Sequence, residues 1–234
     1  MIVGSKFYRL TEVDSTNEYV KHILSDAPEG TVVLADVQTA GKGRKGRNWY
    51  SPEGGLWMSV LLNHCDNSLM PLTAAVAVCE AFQPYDIRLG IKWPNDLLLN
   101  RKKVGGILTE IVDERAILGI GINLNVQQFP DDLAEKASSI LVETKKHLNT
   151  QTLFQDLCQS VDKNYRFLKD ERIDELLTRW RDYSIMIGRD VTIELPERIV
   201  VGKVLDIDRH GALIVMRADY SVEHIIAGDC RLLN

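Results

Sequence analysis

Four strand patterns follow one another between residues 87 and 124, and they constrain the fold more than any other feature of the chain. Apolar residues that favour β structure concentrate at 87–93, 97–99, 104–111 and 116–124. The connections between these runs are short enough for antiparallel pairing, whereas a parallel pair would need a long crossover. The sequence therefore predicts one sheet in which these four strands pair antiparallel.

Helices and further strands are predicted around this sheet. Ser15 and Glu18 have the spacing of a capping box, so a helix is expected to begin there. Pro71 stands where the first residue of a helix would, before an alanine-rich run to Phe82. The remaining predictions are strands at 31–36 and 56–62 and two packed helices between 152 and 183, where apolar residues recur at helical spacing.

After Gly188 the pattern changes to short β runs at 191–195, 199–207, 212–216 and 222–226. Arg209, His210 and Gly211 form a natural turn between two of them. A β-barrel of this size, roughly 45 to 50 residues, is marginal alone and is expected to lean on the rest of the chain. We therefore divide the chain into a main domain, 1–184, and a small C-terminal domain, 185–234.

Charge and composition exclude several classes of protein. With 33 acidic and 28 basic side chains, the formal net charge is -5, which does not favour wholesale binding of nucleic acid. The N-terminus lacks the pattern of a signal peptide, and no apolar run reaches the length of a membrane span. The four cysteines, Cys65, Cys79, Cys158 and Cys230, are scattered and are expected to be reduced and structural. These features predict a cytoplasmic protein.

The loop 41–49 combines three glycines with four cations and ends in a tryptophan, a composition typical of phosphate binding. It matches both G-x-G-x-x-G and the first positions of a P-loop. The segment 52–55 would break the helix that a dinucleotide-binding motif opens, and Arg47 and Asn48 stand where a P-loop has its Lys and Ser/Thr. Two interpretations stay open, a cationic loop that binds phosphate and a solvated surface loop.

A second polar cluster occupies residues 92–96. Pro94 ends the preceding strand, so Asn95 and Asp96 fall in a turn from which their side chains can face a pocket. Lys103 follows the next turn. The alternative is that these residues only form turns and a solvated hairpin.

A third element is a strand that contains Gly119, Gly121 and Asn123. Glycines let a ligand approach a strand closely, and an asparagine side chain offers both a donor and an acceptor. The glycines are equally compatible with β-bulges, and Ser15 with a simple helix cap.

Together these segments resemble, in order and spacing, the signatures of the biotin protein ligases. The matching segments are 38–49, 51–57, 92–96, 103–107 and 119–123. The resemblance spans most of the chain and implies an α+β fold. Its parts are a mixed sheet with flanking helices, related to class II aminoacyl-tRNA synthetases, and a small C-terminal SH3-like β-barrel. Because the capping-box helix begins at once, the resemblance implies a short form without an N-terminal DNA-binding domain.

The reaction implied by the resemblance has two steps. Biotin and ATP, with Mg²⁺ bridging phosphate oxygens mainly through water, form biotinyl-5′-AMP and pyrophosphate. Biotin then passes to a lysine of a biotin carboxyl carrier protein, a subunit of acetyl-CoA carboxylase or a domain of a related carboxylase. No metal ligand in the protein, no nucleic acid and no membrane are expected, and a homodimer is compatible with the sequence.

The resemblance also assigns residues. The catalytic ones are Lys103, Asp96 and Arg44. Those around biotin are Ser15, Thr16, Asn17, Gln38, Gly41, Lys42, Gly43, Arg44, Lys103 and Gly105. Those around ATP are Arg44, Arg47, Trp49, Lys92, Asn95, Lys103 and Asn123.

The sequence departs from the family pattern at two places, and three alternative functions stay open. Lys42 stands where the family commonly has arginine, and the segment 228–233 lacks the common serine-leucine-arginine ending, which leaves open whether the C-terminal domain reaches the adenylate. The alternatives are a lipoate transferase, a catalytically silent binding module and a nucleic-acid-binding module.

Overall fold

The structure is a computed structural model that describes residues 1–63 and 68–233. The helices are α1 (Thr16–His22), α2 (Met70–Phe82), α3 (Asp131–Ala134), α4 (Ile140–Thr144), α5 (Thr150–Lys169) and α6 (Ile173–Tyr183). The strands are β1 (Lys6–Val13), β2 (Thr31–Gln38), β3 (Leu56–Asn63), β4 (Gly90–Lys92), β5 (Asp96–Leu99), β6 (Lys102–Val112), β7 (Arg115–Ile122), β8 (Asp190–Glu194), β9 (Ile199–Ile207), β10 (Leu213–Met216), β11 (Val222–Ile225) and β12 (Asp229–Leu232).

The larger sheet has seven strands in the order β1-β2-β3-β7-β6-β5-β4. The run β4-β5-β6-β7 is antiparallel, which confirms the prediction for residues 87–124, and β3 continues the antiparallel pairing. Among the described strands, β1 and β2 alone pair parallel, with Lys6 opposite Thr31, and α1 forms the crossover between them. The sheet is therefore mixed, as expected.

The two faces of this sheet differ. One face, with Met58, Val60 and Leu62, packs on α2, α5 and α6 and forms the large core. The other face carries α1 over one end, where Val20 and Leu61 belong to a small separate cluster.

The C-terminal strands form a five-stranded antiparallel sheet in the order β11-β10-β9-β8-β12. The expectation of a closed barrel is wrong, because β11 and β12 are the two edges and do not pair with each other. The sheet shares one continuous core with the main sheet, and Trp93 Nε1 donates to the carbonyl of Gly211 at 3.1 Å. It thus leans on the main body, as the size argument predicts, while the boundary between 184 and 185 stays a prediction.

Two further sequence predictions change. Ser15 precedes α1 but its side chain makes no capping hydrogen bond, so the capping-box interpretation is wrong; Glu18 binds lysines instead. Two strands, β1 and β12, form where none was predicted.

The described cysteines, Cys79, Cys158 and Cys230, are free and buried, and burial raises the pKa of the Cys158 and Cys230 thiols to about 12. Cys65 lies outside the described residues. In the part of the chain that the structure describes, no helix combines the length and apolar character that a membrane crossing needs.

Candidate functional site

Glycines on the face of the main sheet that carries α1 allow two side chains to lie against its backbone. A Cβ atom at Gly119 would come 2.5 Å from Asn17 Oδ1, and one at Gly121 would come 2.7 Å from Trp49 Nε1. Gly106, paired with Gly121 across β6 and β7, also contacts the Trp49 ring. Any larger residue at these positions would displace Asn17 or Trp49.

A buried polar group lies where α1 meets β2 and β3. Gln38 Oε1 accepts from the Thr16 amide at 2.8 Å and from the Thr16 hydroxyl at 3.1 Å, and Gln38 Nε2 donates to Ser51 Oγ at 2.8 Å. The Ser59 hydroxyl lies 2.7 Å from Thr16 Oγ1 and 2.5 Å from Asn17 Oδ1. Neutral donors and acceptors of this kind match a ligand with both amide N–H and C=O groups.

Ion pairs fix the outer edge of this polar group. Glu18 binds Lys21 and Lys42, each at 2.7 Å, and these hydrogen bonds lower the pKa of Glu18 to about 2 despite partial burial. Lys21 also pairs with Glu110 at 2.8 Å, and Glu110 accepts from Asn17 Nδ2 at 2.7 Å. The orientation of Asn17 is therefore set from two sides.

The cationic loop forms a tight excursion from the sheet. Trp49 N donates to Gly41 O at 2.8 Å and Gly43 N donates to Arg47 O at 2.7 Å, so the two arms of the loop are bonded to each other. Lys45 and Gly46 at the tip both have left-handed backbone, with φ of 57° and 71°. The loop is therefore closed at its stem by backbone hydrogen bonds and turns at its tip through left-handed residues.

A cluster of charges lies where the loop meets β5 and β6. Asp96 binds Lys103 Nζ through Oδ1 at 2.5 Å and Lys92 Nζ through Oδ2 at 3.3 Å. Arg44 Nη1 donates to Asn95 Oδ1 at 3.0 Å, and Asn95 is held in turn because its Nδ2 donates to Ile107 O at 2.7 Å. Three cations against one carboxylate leave a local excess of positive charge, which favours an anionic ligand.

Trp49 joins the charge cluster to the glycines. Lys103 Nζ lies 5.0 Å from the centre of the Trp49 ring, within the range of a cation–π contact. Trp49 Nε1 is buried and has no hydrogen-bond partner among the described residues. A buried donor without an acceptor lowers the stability of the fold. Such donors are found at sites where a ligand supplies the missing acceptor.

The structure does not bring every expected residue to this cluster. Arg47, expected at ATP, binds Asp229 of the C-terminal sheet instead, and Lys45 binds the same carboxylate. Asn123 is buried and donates from Nδ2 to Ser138 O at 2.9 Å. A Cβ at Gly105 would meet Gly121 O at 3.0 Å, so Gly105 serves the close pairing of two strands in the structure.

Four residues of the site were not found from the sequence: Ser51, Ser59, Glu110 and Asp229. Ser59 carries a usable signal, since it is the one polar residue between 56 and 62 in a strand that is otherwise apolar. Asp229 carries none, because its partners lie more than 180 residues away, as the separation of 182 from Arg47 shows.

Metal ligation is not evident in this arrangement. In residues 1–63 and 68–233 no three His, Cys, Asp or Glu side chains lie together as metal ligands would. Both oxygens of Asp96, the carboxylate of the charge cluster, are occupied by lysines.

Comparison with known proteins agrees with the site. Residues 10–127 match the model of the biotin/lipoate A/B protein ligase family, and residues 186–233 match the model of the biotin protein ligase C terminal domain. The chain is 36% identical over 237 residues to the bifunctional ligase/repressor BirA of Bacillus spizizenii, which covers 94% of this chain and 72% of that protein.

Two further proteins similar to this chain are biotin ligases. Identity is 30% over 226 residues with the biotin acetyl-CoA-carboxylase ligase of Mycobacterium tuberculosis, covering 90% of this chain and 84% of that protein. The biotin protein ligase from Aquifex aeolicus, solved in complex with biotin and ATP, has a TM-score of 0.90 and 30% identity, covering 98% of this chain and 99% of that chain. By sequence, by fold and by the segments that build its site, the chain belongs to the biotin/lipoate A/B protein ligase family.

Proposed function

We propose that the chain activates biotin with ATP to form biotinyl-5′-AMP and transfers the biotinyl group to a lysine of a biotin carboxyl carrier protein. The observation that carries the proposal is the position of the charge cluster, Lys92, Asp96 and Lys103, beside Trp49 and the glycines of β6 and β7. The first step requires cations that bind phosphate and neutral polar groups that bind the ureido ring.

In that step an oxygen of the biotin carboxylate attacks the α-phosphorus of ATP, and the bond to the bridging oxygen breaks as pyrophosphate leaves. Negative charge develops on the phosphate oxygens. Lys103 is assigned to the biotin carboxylate and α-phosphate, with Arg44 and Lys92 neutralising neighbouring phosphate oxygens. Asn95 supports this role because its side chain already orients the Arg44 guanidinium.

The ureido ring of biotin is assigned to the buried polar group. Its C=O needs donors and its two N–H groups need acceptors, and Ser15, Thr16, Asn17 and Gln38 provide both. These four positions lie at the start of α1 and the end of β2, which the parallel pairing of β1 with β2 brings together. The backbone of Gly41, Lys42, Gly43 and Gly105 completes the proposed biotin contacts.

The adenylate is assigned to Trp49 and Asn123, whereas the Arg47 guanidinium binds Asp229 and is assigned to holding the loop. The unpartnered Trp49 Nε1 supports the first of these, since a phosphate or ribose oxygen would supply its acceptor. Mg²⁺ is proposed to arrive with ATP as part of the substrate, held by phosphate oxygens and water.

In the second step the free amine of the carrier lysine attacks the carbonyl carbon of the mixed anhydride. The bond to the phosphate oxygen breaks, AMP leaves, and the amine loses one proton. Asp96 is proposed to orient or deprotonate the incoming amine, because a lysine with an ordinary pKa near 10.4 is mostly protonated at neutral pH. Its carboxylate becomes available for this when Lys103 and Lys92 turn from Asp96 to the phosphate. A cytoplasmic location and a homodimer are further parts of the proposal.

Incubation of the protein with Mg·ATP, radiolabelled biotin and a biotin carrier domain tests the function. Label on the carrier lysine, dependent on ATP and lost with a carrier Lys→Arg variant, is the expected result. A parallel reaction with lipoate and a lipoyl domain is the control for the other branch of the family. Lipoyl transfer without biotinyl transfer would overturn the proposal, and gel filtration with and without ligands tests the homodimer.

A further inference from the structure

The C-terminal sheet contacts the cationic loop through one carboxylate. Asp229, the first residue of edge strand β12, accepts hydrogen bonds at Oδ2 from Lys45 Nζ, at 3.2 Å, and from Arg47 Nη2. One acidic side chain therefore neutralises two of the four cations of the loop.

The same tip is held on its other side. Arg44, next to Lys45, donates to Asn95 in the main sheet at 3.0 Å. The backbone between Arg44 and Arg47 turns through left-handed conformations at Lys45 and Gly46. As a result the tip spans the two sheets, with Arg44 on the charge cluster and its neighbours on Asp229.

Burial makes Asp229 the fixed partner of this contact. The Asp229 side chain is 19% exposed, whereas those of Lys45 and Arg47 are 50% and 65% exposed. Burial alone would raise the pKa of Asp229, but the hydrogen bonds from Arg47 and Lys45 outweigh it and hold that pKa below its ordinary value. The carboxylate is thus ionised at neutral pH and sits on a strand, while the cations belong to a loop.

Exposed ion pairs add little to the stability of a fold, so the value of this contact lies in where it puts the loop. A loop with three glycines loses much conformational freedom when it is ordered, and a small bias toward one position changes how often it is closed. Closure of such a loop shields a reactive intermediate from water and stray amines.

We propose that Asp229 is a positioning residue that holds the cationic loop, through Lys45 and Arg47, in the place from which Arg44 meets phosphate, so that the C-terminal sheet takes part in retaining biotinyl-5′-AMP. This rests on the proposed function. Asp229 touches no reacting atom, and its effect passes through the loop.

The test compares Asp229→Asn, which keeps the shape and removes the charge, with Asp229→Glu, which keeps the charge. Glu194→Gln is the matched control, because Glu194 pairs with Asp229 in register on β8 but its carboxylate binds Arg231 at 3.0 Å rather than the loop. Two rates are measured for each protein: release of preformed biotinyl-5′-AMP, and tryptic cleavage after the Lys and Arg residues of 42–47 without ligand. Melting temperatures are recorded alongside.

The expected result is that Asp229→Asn speeds both release and cleavage about two- to fivefold, the range that the loss of an exposed ion pair produces. Asp229→Glu should restore most of the difference, and Glu194→Gln should match the wild type, with all melting temperatures alike. The KM for ATP should rise while the chemical step in single turnover changes less.

The two readouts separate this inference from the proposed function. Tryptic cleavage of the loop does not depend on the reaction. If Asp229→Asn is cleaved faster but the protein makes no adenylate, the role of Asp229 in holding the loop stands and the proposed function is overturned. Wild-type cleavage and wild-type release in Asp229→Asn would overturn the inference. If Asp229→Asn lowers the melting temperature, Lys45→Gln is used in its place. An unchanged rate of cleavage at Arg47 in Lys45→Gln would also contradict the role of Asp229 in holding the loop.

Discussion

The indole of Trp49 lies against the backbone of Gly121, so closely that a Cβ atom at Gly121 would come 2.7 Å from Trp49 Nε1. Gly106 on the adjacent strand makes a similar contact, with a Cβ position 3.2 Å from Trp49 Cζ3. The absence of side chains on two paired strands thus defines where the tryptophan, and with it Lys103, can lie.

Gly121→Ala is expected to slow adenylate formation by roughly 10- to 100-fold, since small displacements of positioned groups have effects of this size. The measurement is pyrophosphate release with saturating biotin. Trp49→Phe removes both the crowded nitrogen and the donor assigned to the adenylate, so adding Gly121→Ala to Trp49→Phe should slow the enzyme no further. A double variant that is slower than both single variants would contradict the steric explanation.

Lys103→Ala should keep the fold and lose most adenylate synthesis, about 10²- to 10³-fold, because a cation matched to developing charge on phosphate is removed. Lys102→Ala is the control, since the adjacent Lys102 amine donates to Glu135 O instead of Asp96. Near wild-type pyrophosphate release in Lys103→Ala, with unchanged melting, would remove Lys103 from the mechanism.

Asp96→Asn is expected to form biotinyl-5′-AMP but to transfer it slowly. The deficit should shrink as the pH rises, because a larger fraction of the carrier amine is then already deprotonated. Single-turnover transfer from preformed adenylate measures it. A normal transfer rate with defective adenylation would show that Asp96 serves to hold Lys103 and Lys92 for the first step.

Arg44→Gly removes a charge-assisted contact worth roughly 1.5 to 3 kcal/mol, so the adenylate should escape and label lysines of bystander proteins. Biotin incorporation into albumin is the readout. Asn95→Ala, which leaves Arg44 without its 3.0 Å acceptor, should act in the same direction and more weakly. Albumin that stays unlabelled in Arg44→Gly would limit the role of this residue to capture of ATP.

The ion pairs of Glu18 predict how the stability of the protein changes at acid pH. The pKa of Glu18 is lowered from 4.5 to about 2 by hydrogen bonds from Lys21 and Lys42. The stabilisation is therefore present above about pH 4.5 and is lost as the pH falls toward 2. The difference in free energy of unfolding between wild type and Glu18→Gln should shrink over that window. A difference that is constant from pH 6 to pH 3 would mean that the ion pairs add nothing to stability.

Local patterns predicted the fold wherever strands pair with near neighbours in the chain. The antiparallel run 87–124 was predicted because its short connections leave few alternatives. Strand β1 was missed since its residues are mostly exposed or half-buried and give no alternation, and it exists through its parallel pairing with β2. Closure of the C-terminal sheet depends on its two edge strands meeting, which no local pattern encodes.

The site divides in the same way. Lys92, Asp96 and Lys103 were predicted together, and short-range pairing of β4, β5 and β6 places them in contact. Glu18 was assigned to a helix cap because spacing alone cannot show that Lys42 competes for the same carboxylate. Asp229 required the docking of a second sheet, a tertiary event.

The two faces of the main sheet have different roles, one in packing and one in the proposed ligand site. Large apolar side chains on one face pack on α2, α5 and α6, while glycines, Ser59 and Trp49 on the other belong to the proposed ligand site. Protein engineers can exploit this separation: substitutions among the buried helical residues can raise thermal tolerance with little effect on turnover. Altered substrates, by contrast, would require Asn17 or Trp49 to move, and these lie against glycines of β6 and β7 that have no side chain to shorten.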